Sequence, residues 1–297
     1  MSDGFLSRLR LAENRDRLLK EKQIQMCKND STKKNEKNKY IIMGPIARGG
    51  FSEVMRAKRS EDGLYVAIKV FRRTEEAYQL YLRETDALQR IFSGQLCEQI
   101  ITYISSEIHD RKPRIILELG KMSLRKRIEN ARSNNLLESA DFINQIIKAV
   151  RFIHSISIAH RDLKPENFVI CENDRVKMCD FGFAKVCEDR LQTICGTPAY
   201  MAPELYKRSK HGYIGLPVDV WSLGAIVYEV LHKRFAFCAN NMRELKMRIT
   251  HAKHNSINFS LPKVFRILIS SCFIIDVDKR PTIFDLKIPV KKRNKPN

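Results

Sequence analysis

HRDLKPENFVICENDRVKMCDFG, residues 160–182, sets polar, chemically capable residues around two short apolar runs. His160, Arg161, Asp162, Lys164 and Asn167 share one short loop, and Asp180 follows the second apolar run. A purely structural role would leave this grouping to chance. Moving a phosphoryl group needs a carboxylate to orient a hydroxyl, a lysine beside the moving group and oxygen ligands for magnesium. Asp162, Lys164 and the pair Asn167 and Asp180 suit those roles in turn.

Upstream, IARGGFSEV (46–54) carries Gly49 and Gly50 side by side. They form either a plain hairpin turn or the floor of a nucleotide site. Fifteen residues after Val54, VAIKV places Lys69 within an apolar strand. A lysine there snorkels to an edge, or answers phosphate charge beside a glycine-containing turn. Glu84 in the following helix is placed to pair with Lys69, with Leu88 one turn later on the same side.

The chain of 297 residues is long enough for one large or two-lobed domain. A hydrophobic fraction of 43% with 30% charged residues describes a globular protein. The longest apolar stretch, residues 265–277, is too short and interrupted to span a bilayer. The first twenty residues lack the apolar run of a signal peptide. Eight cysteines occur without a CxxC pair, which points away from a zinc site or a redox motif. The expected compartment is intracellular, cytoplasm and/or nucleus. The formal net charge of +20 suits acidic partners, but no nucleic-acid motif with interleaved aromatics accompanies it.

Residues 1–39 read as a basic extension, with weak helical spacing in the first half and a flexible linker in the second. From Tyr40, KYIIMGPI, SEVMRAKR and LYVAIKVF have strand character, with a turn at SEDG (60–63). EEAYQLYLRETDALQRI has helical spacing, and RIILEL is again a strand. DFINQIIKAVRFIHSI places Phe142, Ile146, Val150 and Ile153 on one helix face. Residues 219–231 are apolar nearly all round, which predicts a buried helix. The pattern implies an α+β, two-lobed fold. Its strand-rich lobe covers about residues 40–119 and its helical lobe about 120–286; a basic tail (287–297) follows.

Over residues 40–286 the chain resembles the eukaryotic protein kinases, with several motifs in the family's order and spacing. HRDLKPEN is similar to the catalytic loop, DFG to the magnesium-binding motif, and APE (202–204) to the end of the activation segment. VAIK and Glu84 resemble the family's ion pair. Asp219 and Arg280 resemble the buried pillars of the helical lobe, Arg280 pairing with Glu204. The resemblance implies a bilobal kinase fold transferring the γ-phosphate of ATP, with Mg2+, to Ser or Thr of protein substrates. Asp162 and Lys164 would be catalytic, and Asn167 and Asp180 would hold the metal. Ile46, Ala47, Arg48, Gly49, Gly50, Phe51, Ser52, Glu53 and Val54 would cover the nucleotide, with Ala47, Gly49 and Ser52 at the family's three glycine positions. Ala67, Lys69, Glu84 and Val169 would complete the nucleotide site. Leu117 would be the gatekeeper, and Glu118 and Leu119 would offer backbone groups to adenine. Phe181, His160, Leu88 and a residue near Tyr103 would stack between the lobes.

Lys164 and Thr197 imply Ser/Thr rather than Tyr specificity, Thr197 bonding toward Asp162 and Lys164. Arg161, one residue before Asp162, implies pairing with a phosphate on the activation segment, with Thr193 the candidate and an upstream kinase a possible partner. Two subfamilies share features with the chain. GYIGLPVDVWSLGAIVYEVL resembles the calcium/calmodulin-dependent and checkpoint group, while RIILELGKMSLRKRI resembles the monopolar-spindle type, whose catalytic loop replaces the arginine found here as Arg161. The alternative is a pseudokinase scaffold, marked only by Ala47. In either case the basic ends would dock acidic partners.

Overall fold

The structure, a computed structural model, describes residues 39–131, 135–187, 190–207 and 212–287. The helical pattern and basic linker expected before residue 39, and most of the basic tail, lie outside the described residues. The chain divides into two compact units. The first holds residues 39–81 and 104–117, and the second 82–103 and the chain from 118 onward.

The first unit is built on a five-stranded sheet of order β1-β2-β3-β5-β4. Its strands are β1 (Tyr40–Arg48), β2 (Ser52–Arg59), β3 (Tyr65–Phe71), β4 (Tyr103–His109) and β5 (Lys112–Glu118). β1 pairs antiparallel with β2, and β2 with β3, so Val54 stands opposite both Ala47 and Lys69. Alternation decides which face is buried. Ala57, Val66, Ile68 and Ile116 pack with Tyr40 as one core, and Met55, Val70 and Ile104 lean on it. β4 was not anticipated. Its Tyr-Ile-Ser-Ser run is half polar, which suits its place on the sheet edge.

Helix α1 (Glu75–Phe92) runs from the first unit into the second. The second unit is mainly helical. Helix α2 (Leu124–Glu129) is short, and the Ser123 hydroxyl caps it by accepting from the Lys126 amide at 3.3 Å. Helix α3 (Leu136–Ser155) begins on Asn135, whose side chain accepts from the Leu137 and Glu138 amides. Its buried face includes Phe142, Ile146, Val150 and Ile153, as its spacing predicts. Helix α4 (Pro203–Lys207) leads to helix α5 (Gly215–His232), which is buried continuously from Val218 to Leu231. Helices α6 (Met242–Thr250) and α7 (Lys263–Cys272) follow.

Trp221 anchors this core, stacked on Phe237 at 5.5 Å and tilted against Phe273 at 5.1 Å. Gly224 brings α5 close to α7. A Cβ at this glycine would come within 2.4 Å of the Cys272 Cβ, which no side chain tolerates. Short strands β6 (Met122–Ser123), β8 (Phe168–Ile170) and β9 (Val176–Met178) form one small sheet, and β7 (Ile158–Ala159) and β10 (Lys185–Val186) form another. The loop rich in chemistry leaves β7 and enters β8.

Candidate active site

Asp219, on the first turns of α5, organises the loop from below. Its fully buried carboxylate accepts the amides of His160 at 2.7 Å and Arg161 at 2.8 Å, and a bond of 3.0 Å links it to the His154 ring. Those bonds hold Arg161 in the left-handed region at φ 69°, a conformation costly to a non-glycine residue. Asp162 comes next. Lys164 donates to its Oδ2 at 2.6 Å, Thr197 to its Oδ1 at 3.1 Å, and the Asn167 amide to its carbonyl at 2.8 Å. Lys164 also bonds the Thr197 hydroxyl at 2.9 Å. Asp162, Lys164, Asn167 and Thr197 therefore meet as one constellation.

Asn167 donates through Nδ2, which leaves its amide oxygen as an acceptor. The Cys179 amide donates to the Asn167 carbonyl at 2.9 Å, so the chain next to Asp180 runs beside Asn167. Oxygen donors of this kind, one amide and one carboxylate, suit a hard cation such as magnesium. Asp180 takes φ 62°, and the following Phe181 is fully buried with its ring 5.3 Å from that of His160. Leu88 is buried, and the Tyr103 ring lies tilted against Phe92 at 6.2 Å.

In the first unit, residues 46–51 are exposed and Ser52, Glu53 and Val54 are half-buried. The turn is closed by the Gly49 amide on the Ser52 carbonyl at 2.8 Å. Arg72, which the motif reading passed over, fastens the loop to the end of β3. Its amide donates to the Phe51 carbonyl at 2.9 Å and its guanidinium to the Gly49 carbonyl at 3.1 Å. Arg48 pairs with Glu53 at the surface at 2.6 Å. Neither glycine has a positive φ. A methyl at Gly49 would meet nothing closer than the Ser52 oxygen at 3.5 Å, and one at Gly50 nothing within 4 Å. The hairpin by itself does not demand this pair. Ala67 and Lys69 are buried on β3, the Lys69 ammonium 5.3 Å from the Phe71 ring. Glu84 is buried on α1, in the second unit.

Leu117 is buried at the end of β5. The Glu118 amide is already spent on the Thr102 carbonyl at 2.9 Å, so Glu118 retains its carbonyl for a further bond. Its side chain accepts from Lys177 at 2.5 Å and from the Thr102 hydroxyl at 2.6 Å. Burial pushes that carboxyl up, but these bonds outweigh it and leave the pKa below its ordinary value. Leu119 is half-buried. Gly120, not among the expected site residues, has a packing reason: a Cβ there would lie 2.8 Å from the Val169 Cβ.

Arg161 reaches the segment around Thr193. Its Nη2 donates to the Thr193 carbonyl at 2.5 Å and its Nε to the Tyr213 hydroxyl at 3.0 Å. Tyr213 donates to the same carbonyl at 2.8 Å, burial pushing its pKa up to about 12. Thr193 is exposed and held by its backbone. Two further groups escaped the sequence reading. One is Tyr213; the other is a knot in which Arg125 binds Glu166, Glu229 and Tyr200. Their members are too far apart in the chain to leave a local pattern.

A family model of the protein kinase domain matches residues 40–288. The chain belongs to the protein kinase family. Arg280 and Glu204 of this kinase pair through two bonds of 2.8 and 3.0 Å, as the family resemblance implies. Its relatives include the probable serine/threonine-protein kinase fhkD of Dictyostelium discoideum, 34% identical over 75% of this chain and 32% of that protein. CBL-interacting serine/threonine-protein kinase 15 of Arabidopsis thaliana is 31% identical over 77% of this chain and 55% of its own length. NUAK family SNF1-like kinase 1 of Mus musculus is 29% identical over 86% of this chain and 38% of its own. The kinase chain thus spans between about a third and just over half of the length of these relatives. Among its described residues no helix is long and apolar enough to cross a membrane.

Proposed function

We propose that the chain is a serine/threonine protein kinase that moves the γ-phosphoryl group of ATP to protein hydroxyls. One observation carries this reading: Asp162, Lys164, Asn167 and Thr197 are joined by hydrogen bonds of 2.6 to 3.2 Å within a partly buried loop. Asp162 orients the acceptor hydroxyl and takes its proton. Lys164, already bonded to Asp162, steadies the charge on the transferring group. Asn167 and Asp180 would hold magnesium, which neutralises phosphate charge when bound. The Gly49–Gly50 turn, which its own packing does not explain, lets backbone approach phosphate closely, and Lys69 answers phosphate charge. Most of the catalysis is positioning and charge stabilisation. The names of the relatives support Ser/Thr specificity, as does the bond between Thr197 and Asp162.

Activation by phosphorylation at Thr193 follows from its exposure and from Arg161 on its carbonyl. A phosphate there would add about −1.5 to −2 charge beside the guanidinium and order the segment. An upstream kinase is then a partner, protein substrates are others, and the basic ends dock acidic surfaces. A checkpoint or cell-cycle role is the pathway reading, from the sequence stretches already quoted.

The test is transfer of radiolabelled phosphate from ATP and magnesium, by wild type and Asp162→Asn, with mapping of labelled residues. Label on Ser or Thr that disappears in the variant supports the enzyme, and label on Thr193 supports self-activation. Failure of wild type to transfer, even when Thr193 has been phosphorylated, would favour the scaffold.

A further inference from the structure

Helix α7 buries one face and leaves an apolar residue at the centre of the other. Its inner face packs Phe265, Leu268, Ile269 and Cys272. Lys263, Ile267 and Ser271, spaced by four, run along the outer face. Ile267 in this row is 51% exposed, where a surface helix ordinarily carries a polar residue. A groove flanks the row on each side. One, of about 450 Å³, is lined by the row together with Arg266, Ser270 and Ile274. The other, of about 340 Å³, is lined by the row, by Val264 and Leu268, and by parts of the segment 281–287. A ridge of side chains four apart, with a groove on either side, is the surface on which a second helix packs.

The rims of both grooves are basic. Lys263, Arg266 and Lys287 line them, and Asp285 is the single carboxylate that does. That carboxylate is engaged within its own turn, accepting from the Thr282 amide at 2.9 Å and the Thr282 hydroxyl at 2.6 Å. These bonds hold its pKa below the ordinary value. Arg266 is aimed by a bond of 3.1 Å from its Nε to the Leu261 carbonyl. Lys263 stands in the first turn of α7, where the helix dipole favours an acid and the chain supplies none. Helix stability therefore does not account for that charge.

Charge decides between the occupants this face could take. The ten residues after Lys287 carry four cations and no acid, and residues 1–38 are basic as well. A second copy of the chain brings a net charge of +20. Each would set like charge against a basic rim, which is repulsive. We propose that the outer face of α7 is a docking surface for an amphipathic helix of a partner protein, apolar along one edge and flanked by Asp or Glu. The apolar edge packs beside Ile267 and fills the grooves, and the acids meet Lys263, Arg266 and Lys287. None of residues 160–167 lines either groove, so the contact holds a partner without occupying the loop proposed to carry the chemistry.

The experiment uses the full chain and labelled, helix-stapled peptides, with binding read by fluorescence anisotropy. One peptide has a leucine edge flanked by Glu, and a second has the same edge flanked by Lys. A third keeps the Glu flanks but has Ser in place of the leucines. The first should bind saturably and about tenfold tighter than either of the others, through charge-assisted bonds and buried apolar area together. A chain of net charge +20 also draws acids non-specifically, so the deciding variants move charge. Lys263→Glu with Arg266→Glu should reverse the preference towards the Lys-flanked peptide, and Ile267→Ser should cut affinity about tenfold. Lys246→Glu with Lys253→Glu makes the same change of charge on exposed residues elsewhere and should leave the order of the three peptides as it was. Equal binding of the first and third peptides, or equal loss in the two charge-reversed pairs, would overturn the proposal. So would another occupant. Tighter peptide binding in Ile288→Ser with Val290→Ser would give the face to the chain's own tail. Concentration-dependent dimers that Ile267→Ser dissolves would give it to a second copy. Phosphatidylserine vesicles that retain wild type but not Ile267→Ser would give it to a membrane.

Discussion

The loop proposed to carry the chemistry, residues 160–167, and the glycine turn, residues 46–54, are built in opposite ways. The loop is mostly buried, with Asp219 fixing its backbone and Lys164, Asn167 and Thr197 fixing Asp162. The turn is largely exposed and is tied down by one closing bond and Arg72. Preorganised polar groups cost no rearrangement at the moment of reaction, which suits the atoms that do the chemistry. A loosely tethered loop suits a part that must admit and release a nucleotide. Substitutions in the first region should therefore disturb both activity and stability, and those in the second only nucleotide affinity.

The sharpest break is Asp162→Asn, expected to cut kcat by about 10³-fold, within the range for loss of a positioned base. Far-UV circular dichroism should show the fold intact. Next is Asp219→Ala. It strands two buried amides at about 1–3 kcal/mol each, so urea unfolding should show a loss of about 3 kcal/mol together with a fall in kcat. In the turn, Gly50→Ala meets no protein atom within 4 Å. Its unfolding midpoint should stay within about 0.5 kcal/mol of wild type, while KM for ATP rises about tenfold from one lost phosphate contact. A stability loss equal to that of Asp219→Ala would erase the contrast.

The smallest effect is on pH dependence. The folded Glu118 carboxyl lies below its ordinary 4.5 because its bonds to Lys177 and Thr102 outweigh burial. The folded state thus binds fewer protons there than the unfolded one. That stabilisation is present above about pH 4.5 and is lost as pH falls through the lower folded value. Glu118→Gln should flatten the acid limb of a stability profile between about pH 5 and 3, because the variant lacks in the neutral region the stabilisation that wild type loses only in acid.

How far the sequence could be read depends on the distance between partners. Met55 and Ala57 on β2, and Val66, Ile68 and Val70 on β3, recur with period two, and helix α3 repeats, so those faces follow from local order, and the loop motif carries its own spacing. Arg280 and Glu204, 76 residues apart, were paired through family resemblance rather than pattern. Where neither help existed, the partners stayed hidden. Lys177 looks like an odd charge in an apolar strand until Glu118 is found beside it, and Arg125 reads as one basic residue among several in LRKRIE. The strand at 103–109 escaped because an edge position tolerates serines that dilute its alternation.

The tight seam where α5 meets α7 also makes the protein its own reporter. Cys272, wholly enclosed against Gly224, has its thiol pushed up to about 12 by burial. A thiol so shielded and so weakly ionised is inert towards alkylating reagents until the helices separate. Its rate of modification, followed peptide by peptide by mass spectrometry, therefore counts the openings of the helical unit in native buffer. The exposed Cys238 reacts at once and supplies the internal zero of the clock.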